Sequence, residues 1–270
     1  MRVSVIVSTY NRPAALARVL AALRDQTVLP HEVIVADDGS GAPTAAMVAS
    51  FQPGYPVPLI HAWQADEGFR LSAVRNLAAS KASGQWLHFL DGDSVPQVSL
   101  IARVGELAEP DWMLAGDRIL LSEALTRSIE TAGDDLHRWT VAQWRQHRRA
   151  GDINRTLPLY YWPYRLGRGF KKRDWSHFRT ANVGIAREAF ERINGFEAAM
   201  EGWGLEDSEF AVRALNAGLR IRSGRVALGV FHLWHREQSR EAVAANRQIL
   251  QQSIESGVIR ARRGLAETAS

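Results

Sequence analysis

The sequence predicts an α/β fold in which a mostly parallel, Rossmann-like sheet carries helices on both faces. Val3–Val7 is rich in β-branched apolar residues, the pattern of a strand buried on both faces. From Leu16 to Leu23, leucine and valine recur at helical spacing. Because strand and helix patterns alternate through the first ninety residues, we expect parallel strands joined by crossover helices.

The individual elements follow in chain order. Proline suits the first helical turn, so Pro13 marks the start of the first helix. Strands are predicted at residues 3–7, 32–36, 57–63, 85–90 and 113–121. Helices are predicted at 13–23, 72–82, 187–194, 207–217 and 237–263, with 122–149 mainly helical. The closing helix carries Val243, Leu250 and Ile254 on its apolar side.

Composition excludes several classes of protein. The 270 residues are 46% hydrophobic and include no cysteine, which excludes disulfide scaffolds, thiol catalysis and cysteine zinc sites. No apolar run reaches the length of a transmembrane helix. The first residues lack the layout of a signal peptide, because a polar stretch follows Val7 almost at once. We therefore expect a cytoplasmic globular protein.

Polar residues follow three of the predicted strands. They are Ser8-Thr9-Tyr10, Asp37-Asp38 and Asp91-Gly92-Asp93. Parallel sheets bind ligands beyond the carboxyl ends of their strands, so the polar chemistry is expected at one edge. Asp91 and Asp93 can both face a divalent cation such as Mg²⁺ or Mn²⁺, together with phosphate oxygens. Read alone, this short motif is better explained as an ordinary turn.

Two later motifs carry further titratable groups. In residues 201–209, glycines flank Trp203 and carboxylates follow at a predicted helix start. One of these carboxylates can serve as a general base, and Asp207 also fits the role of helix N-cap. His232 and His235 can supply an imidazole ligand to a cation, although a histidine beside apolar residues is usually a satisfied core residue.

Taken together, the motifs resemble the family 2 glycosyltransferases of the GT-A fold. The matching segments are VSVIVSTYNRP, EVIVADDGSG, AVRNLAASKASGQWLHFLDGDS and TANVGIAREAFERINGFEAAMEGWGLEDSEFAVRALNAG. The last is similar to the galactosyltransferase-type C-terminal motif of chondroitin-polymerase-like and polypeptide GalNAc-transferase-like enzymes. The resemblance covers residues 1–121 and 179–236.

The resemblance implies a role for each matching residue. The nucleotide-sugar site would be formed by Ser8, Thr9, Tyr10 and Arg12 at the first strand end, Asp38 on the uracil or ribose, Arg70, Arg75 and Asn76 on the diphosphate and donor sugar, and Asn182. The metal ligands would be Asp93, with Asp91, and either His232 or His235. Asp207 would be the catalytic base, with Glu206 and Trp203 shaping the pocket.

The implied enzyme is an inverting transferase that uses Mn²⁺ or Mg²⁺. It would move a sugar from a UDP-linked donor to a hydroxyl of a glycan or lipid-linked acceptor in surface polysaccharide synthesis. The whole chain would be one domain, with a nucleotide-sugar half at 1–121, an insert at 122–180, an acceptor half at 181–236 and a final helix at 237–270. Two alternatives stay open, a non-catalytic nucleotide-sugar or glycan-binding relative and a sugar nucleotidyltransferase.

The basic charge is concentrated in one segment. Residues 137–179 hold eleven of the 33 Arg and Lys but only two of the 29 acids, a net charge of +9 against −5 elsewhere. The segment is also rich in Trp, Tyr and Phe, which suits an anionic acceptor glycan, a membrane interface or nucleic acid. Nucleic acid is the poorest of these, because it leaves the acidic motifs unused. An acceptor-side lid with peripheral membrane contact and a partly packed loop are both consistent with this composition.

Overall fold

The computed structural model describes residues 1–162, 173–176, 178–236 and 239–268. Its strands are β1 Val3–Thr9, β2 Glu32–Asp37, β3 Leu59–Trp63, β4 Trp86–Asp91, β5 Ser94–Pro96, β6 Trp112–Ala115, β7 Asp117–Leu120, β8 Asn182–Ala186, β9 Arg220–Ser223 and β10 Gly229–His232. Its α-helices are α1 Pro13–Arg24, α2 Ala42–Phe51, α3 Leu71–Ser80, α4 Leu100–Leu107, α5 Glu123–Ala132, α6 Val141–Ala150, α7 Arg187–Arg192, α8 Glu206–Asn216, α9 Val243–Ser256 and α10 Leu265–Thr268.

A central sheet runs in the order β3-β2-β1-β4-β8-β6-β9. β1 pairs in parallel with β2 and with β4, and β2 pairs in parallel with β3, as the sequence predicts. β8 runs antiparallel to both β4 and β6. The carboxyl ends of β1, β2 and β4 therefore meet at one edge of the sheet, which is where the polar motifs lie.

The core occupies both faces of this sheet. Because side chains alternate along a strand, Val5 and Val7 of β1 pack with the leucines of α1 on one face, while Ile6 packs with Val74 of α3 on the other. Full burial of each such side chain is worth roughly 1.5–3 kcal/mol. This two-sided burial confirms the predicted layer architecture, with helices on both faces.

The segment predicted as one strand at 113–121 forms two strands in different sheets. β6 belongs to the central sheet, whereas β7 joins a small sheet of order β5-β10-β7. The break falls at Gly116, where an added Cβ would lie 2.2 Å from the side-chain amide of Asn182. Only glycine fits there, at the point where the chain passes from the central sheet to the small one.

The final helix is shorter than predicted. α9 ends at Ser256, and Gly257 follows with a φ of 64°, a left-handed conformation that terminates the helix. Leu250 is buried as predicted, but Ile254 is 41% exposed. The buried face of α9 is occupied instead by Asn246 and Ser253. Residues 237–238, which the sequence placed at the helix start, lie outside the described residues.

The described aromatic residues of the basic segment pack largely against the domain. Trp144 is buried and stacks on Phe231 of β10, with 4.2 Å between ring centroids, and Phe178 is buried beside Phe210. Trp162 is the most exposed of them, at 57%. Residues 163–172 and 177, including Tyr164 and Phe170, lie outside the described residues.

Across the part of the chain that the structure describes, no helix combines the length and apolarity needed to span a membrane.

Candidate active site

The small sheet places Asp93 beside His232. β5 begins one residue after Asp93 and pairs antiparallel with β10, so that Ser94 lies opposite His232. The backbone N–H of Leu233 donates to the carbonyl of Asp93 at 2.9 Å. Sequence periodicity does not reveal this pairing, because β5 has three residues and β10 has four.

Asp93, His232 and His235 form a cluster that fits a divalent cation. One ligand atom from each lies within 4.8 Å of the others, and among the described residues near the site this trio alone forms such a group. Asp93 Oδ1 and His232 Nδ1 lie 3.1 Å apart, and both are buried without a hydrogen-bond partner. Buried polar atoms are normally satisfied, so two orphaned lone-pair atoms facing one another fit a shared metal ion.

Arg12 lies against this cluster. Its Nη1 donates to Asp93 Oδ2 at 2.8 Å, and its Nη2 contacts Glu130 and the carbonyl of Trp234. Burial would raise the pKa of Asp93, but the close approach and charge of His232, with the charge of Arg12, bring it below its usual value. Asp93 is therefore held as a carboxylate. The observed partners of Arg12 are thus two carboxylates and one backbone carbonyl.

Arg75 connects the two halves of the site. Its guanidinium is 1% exposed, donates to Ser8 Oγ at 3.1 Å and to Asp91 Oδ1 at 2.9 Å, and lies 3.8 Å from Asp207 Oδ1. Asp91 is thus paired with Arg75 and lies outside the Asp93–His232–His235 cluster. Burial raises the pKa of Asp91, with the charges of Asp93 and Asp207 acting in the same direction and Arg75 opposing them.

The start of α8 presents two carboxylates. The N-cap is Leu205, with a φ of 72° and no side-chain cap, so the prediction of Asp207 as N-cap is wrong. Asp207 instead accepts a hydrogen bond from the Thr180 hydroxyl on Oδ1. Glu206 accepts from the Gly204 N–H at 2.9 Å, and burial together with the Asp207 charge raises the pKa of Glu206 to about 7. Trp203, 38% exposed, lies on the preceding turn.

The strand ends of β1 and β2 form a more open part of the site. Asp38 is buried and accepts from the Gln64 amide at 2.6 Å and from the Arg70 N–H at 2.8 Å. Burial raises its pKa despite these bonds. Tyr10 is 47% exposed and donates to Asp66. Thr9, by contrast, is buried, and its hydroxyl has no hydrogen-bond partner.

Two residues predicted to contact the donor sugar form hydrogen bonds within the protein. Asn76 is fully buried, and its amide exchanges two hydrogen bonds with the backbone of Phe196. Asn182 is 1% exposed and bonds to His88 and to the carbonyl of Leu228. Both side chains are buried and hydrogen-bonded within the protein, which gives them a structural role, and their contact with the donor stays a prediction. The Arg70 side chain likewise contacts Glu67 and the carbonyl of Ala65.

Thr180 is the site residue that the sequence reasoning missed. Its hydroxyl contacts Asp207 from 27 positions away in the chain, and its residue type carries no signal of that role. The available indication was its place at the edge of the TANVG segment, beside Asn182.

Two protein-family models match the part of the chain that contains the site residues. The family model described as glycosyl transferase family 2 matches residues 4–193, and the model described as the N-terminal domain of galactosyltransferase matches residues 169–236. Validoxylamine A glucosyltransferase from Streptomyces hygroscopicus subsp. limoneus is 31% identical over 242 residues, 84% of this chain and 51% of that protein. Chondroitin synthase from Escherichia coli is 30% identical over 82% of this chain and 33% of its own length. The chain thus spans about half or less of these relatives.

Solved structures share the fold. S. aureus TarS 1–349 in complex with UDP superposes with a TM-score of 0.60 at 16% identity, covering 99% of this chain and 68% of that one. The mannosyltransferase PcManGT from Pyrobaculum calidifontis, in complex with GDP-Man and Mn²⁺, gives a TM-score of 0.60 at 20% identity over 94% and 64%. The predicted GT-A fold is confirmed.

Proposed function

The chain belongs to glycosyl transferase family 2, and on this premise we propose that it transfers a sugar from a UDP-linked donor to an acceptor hydroxyl with inversion of configuration. The acceptor class is a glycan or a lipid-linked glycan of the polysaccharide type. We also propose that residues 1–270 act as a single domain, with the donor bound by the first half and the acceptor by the second.

The observation that carries this proposal is the position of Arg75 between two carboxylates. One guanidinium contacts Asp91 at 2.9 Å and lies 3.8 Å from Asp207. Only the Arg75 side chain therefore separates Asp207, the candidate base, from the 91–93 motif, which is suited to a metal-bound diphosphate. Direct displacement at a sugar carbon needs this proximity, since the base must act while the leaving group departs.

Asp207 is better placed than Glu206 to take the acceptor proton. An acceptor hydroxyl is a poor nucleophile at neutral pH, so a carboxylate must accept its proton in the transition state. Thr180 and Arg75 both contact Oδ1 of Asp207, which orients the group and leaves Oδ2 for the proton. Glu206 is only 7% exposed and its carboxylate is bound to the Gly204 N–H, so it is less accessible to an acceptor hydroxyl. A single base on one face of the sugar gives an inverted product.

We propose that Asp93, His232 and His235 hold the metal ion. Mixed carboxylate and imidazole donors suit Mn²⁺ better than Mg²⁺, which prefers oxygen ligands. Such an ion would neutralise charge on the diphosphate leaving group. Arg12, at 2.8 Å from Asp93, holds that carboxylate in place and adds positive charge on the same side of the site.

The proteins with similar sequences and folds support the choice of substrates. TarS was solved with UDP and PcManGT with GDP-Man and Mn²⁺, which supports a nucleotide-sugar donor. Chondroitin synthase makes a polysaccharide by name, which supports a glycan acceptor. We further propose that the basic segment, residues 137–179, faces the acceptor and contacts anionic headgroups when that acceptor is lipid-linked.

The first experiment tests the base. Nucleotide sugars are screened by thermal shift with and without Mn²⁺, and UDP release and transfer are then measured with the best donor. Asp207→Asn should abolish transfer while the donor dissociation constant stays close to that of the wild type. The control is Asp111→Asn, an exposed carboxylate outside the site, which should behave as wild type. Full activity in Asp207→Asn would refute the assignment, and donor binding without turnover in the wild type would favour a non-catalytic relative.

The second experiment tests the metal site. Asp93→Ala and His232→Ala should each weaken UDP binding measured calorimetrically with Mn²⁺ present, because each removes a ligand. Chelation of Mn²⁺ should weaken binding to the wild type in the same way. His31→Ala is the control, since His31 contacts Ser83 far from the cluster. An unchanged dissociation constant in Asp93→Ala would remove Asp93 from the metal site.

A further inference from the structure

The turn before α8 has a backbone that needs support from outside. Gly202, Gly204 and Leu205 have φ values of 72°, 115° and 72°, all in the left-handed range. For Leu205 this conformation is intrinsically unfavourable, because the Cβ of an L-residue crowds the following carbonyl. A run of such residues persists only where neighbouring groups hold it. The turn presents Trp203 and directly precedes Glu206 and Asp207.

Helix α9 supplies that support. Asn246 is 2% exposed, and its side-chain amide donates to the carbonyl of Gly204 at 2.9 Å and to that of Glu201 at 3.3 Å. Ala242 packs closely on Gly202, because a Cβ added to Gly202 would lie 2.3 Å from the Cβ of Ala242. A Cβ added to Gly204 would lie 3.0 Å from Cγ2 of Val243. The start of α9 therefore contacts Glu201, Gly202 and Gly204 of the turn.

The rest of α9 is fixed to α8 independently of the turn. Ser253 Oγ donates to Glu209 Oε1 at 2.9 Å, and the Asn216 amide donates to the carbonyl of Ser253 at 3.2 Å. Glu209 is itself buried in a bidentate pair with Arg213. Because the far end of α9 is anchored on the same helix that carries Asp207, Asn246 holds the turn against a rigid support. Residues 242–256 lie beyond the segments that the two family models match.

We propose that Asn246 is a positioning residue of the transfer site. Its amide holds the 201–205 turn in the one conformation that presents Trp203 to the acceptor and starts α8 so that Asp207 faces the donor. Asn246 does not touch the substrate and acts through the carbonyls of Glu201 and Gly204. The expected effect on turnover rests on the proposed function, whereas the support of the turn by Asn246 rests on the observed contacts alone.

The test compares two asparagines on the same helix interface. Asn246→Leu keeps the size of the side chain but removes both bonds to the turn. Asn216→Leu removes two bonds from the end of α8, to the carbonyls of Ser253 in α9 and of Val258 beyond it, without touching the turn. In Asn246→Leu alone, amide hydrogen exchange in a peptide covering 201–206 should accelerate. The same variant should lose between about 10- and 100-fold in turnover of the best donor, because the base is displaced. The dissociation constant for UDP with Mn²⁺ should be unchanged.

The outcomes separate this inference from the proposed function. Equal effects of Asn246→Leu and Asn216→Leu on hydrogen exchange in the 201–206 peptide would overturn the inference. The Asn246 amide would then contribute only to packing of α9 and would not hold the turn. If the wild type turns over no donor, the proposed function fails, and the exchange data alone decide the role of Asn246. Should Asn246→Leu not melt cooperatively, Asn246→Ser replaces it, because its hydroxyl is too short to reach both carbonyls. Wild-type exchange and turnover in that variant would also overturn the inference.

Discussion

At the residue scale, charged side chains in the site are each held by a specific partner. Arg12 is shared between Asp93 and Glu130, and Arg75 is shared between Asp91 and Asp207. The resemblance to family 2 glycosyltransferases assigned both arginines to the nucleotide-sugar site. In the folded chain they first neutralise carboxylates, because buried charges must be paired. In this structure the two arginines orient Asp93, Asp91 and Asp207, and their direct contact with the nucleotide sugar stays a prediction.

Glu206 gives a prediction about stability and pH. Its pKa is raised from 4.5 to about 7 by burial and by the Asp207 charge. Between these two values the folded protein keeps a proton that the unfolded chain has released, so the free energy of unfolding falls as pH rises through that window. Glu206→Gln removes this dependence. From pH 5 to pH 8 we expect the wild type to lose on the order of 2 kcal/mol relative to the variant.

The measurement is urea unfolding of both proteins at the two pH values. Because other groups titrate in both proteins, only the difference between them reports on Glu206. A difference of zero would show that folding leaves the pKa of Glu206 unchanged, and a wild type that gains stability relative to Glu206→Gln would show that folding lowers it.

At the element scale, the small β5-β10-β7 sheet builds the metal cluster. It pairs the strand that follows Asp93 with the strand that ends at His232, although 139 positions of sequence separate the two residues. This sheet exists because the chain leaves the central sheet at Gly116 and starts β7 one residue later. Strands of three or four residues are too short for an alternating pattern to be recognised, which is why the sequence predicted a single strand at 113–121.

The break at Gly116 can be tested with a pair of glycines. A Cβ at Gly116 would lie 2.2 Å from the buried Asn182 amide, so Gly116→Ala must displace a side chain that is bonded to His88 and Leu228. We expect a loss of about 1–3 kcal/mol in the free energy of unfolding. Gly105 lies within α4 with open space around it, and Gly105→Ala should gain about 0.5–1 kcal/mol. Chemical denaturation of both variants measures the two changes. Loss of stability in both, or in neither, contradicts this account.

At the scale of the whole molecule, positive charge is concentrated in one segment and the rest of the chain is negative. The segment 137–179 carries +9 and the remaining chain −5. Most aromatic residues described in that segment are packed, as Trp144 against Phe231 shows, so the packed-loop interpretation holds for them. Trp162, at 57% exposure, remains a surface group beside the basic run, and the adjoining residues 163–172 lie outside the described residues.

The proposed membrane contact predicts selective vesicle binding. The wild type should co-sediment with vesicles that contain anionic lipid, less so as salt increases, and not with neutral vesicles. Trp162→Ala should reduce binding, since an exposed tryptophan anchors at the headgroup level. Trp63→Ala is the control, because Trp63 is 52% exposed on β3, outside the basic segment. Equal and negligible binding to both vesicle types would reject the membrane contact.

The sequence by itself determined the fold class and the positions of the main motifs. Strands buried on both faces and the helices between them leave strong local patterns, and β1 to β4 were predicted to within two residues at each end. The motifs at 91–93, 201–209 and 232–235 were identified because carboxylate and imidazole side chains stand out in local context. The family followed from their order along the chain.

Only the tertiary structure decided which of these side chains work together. It joined Asp93 to His232 and His235, gave Asp91 to Arg75, and buried Asn76 and Asn182 in the scaffold. It also revealed Thr180 and Asn246, whose contacts lie 27 and 42 positions away in the chain. The physical reason is that a hydrogen bond or ion pair depends on distances of a few ångströms between remote residues. Local sequence patterns record burial and periodicity, and they do not record those distances.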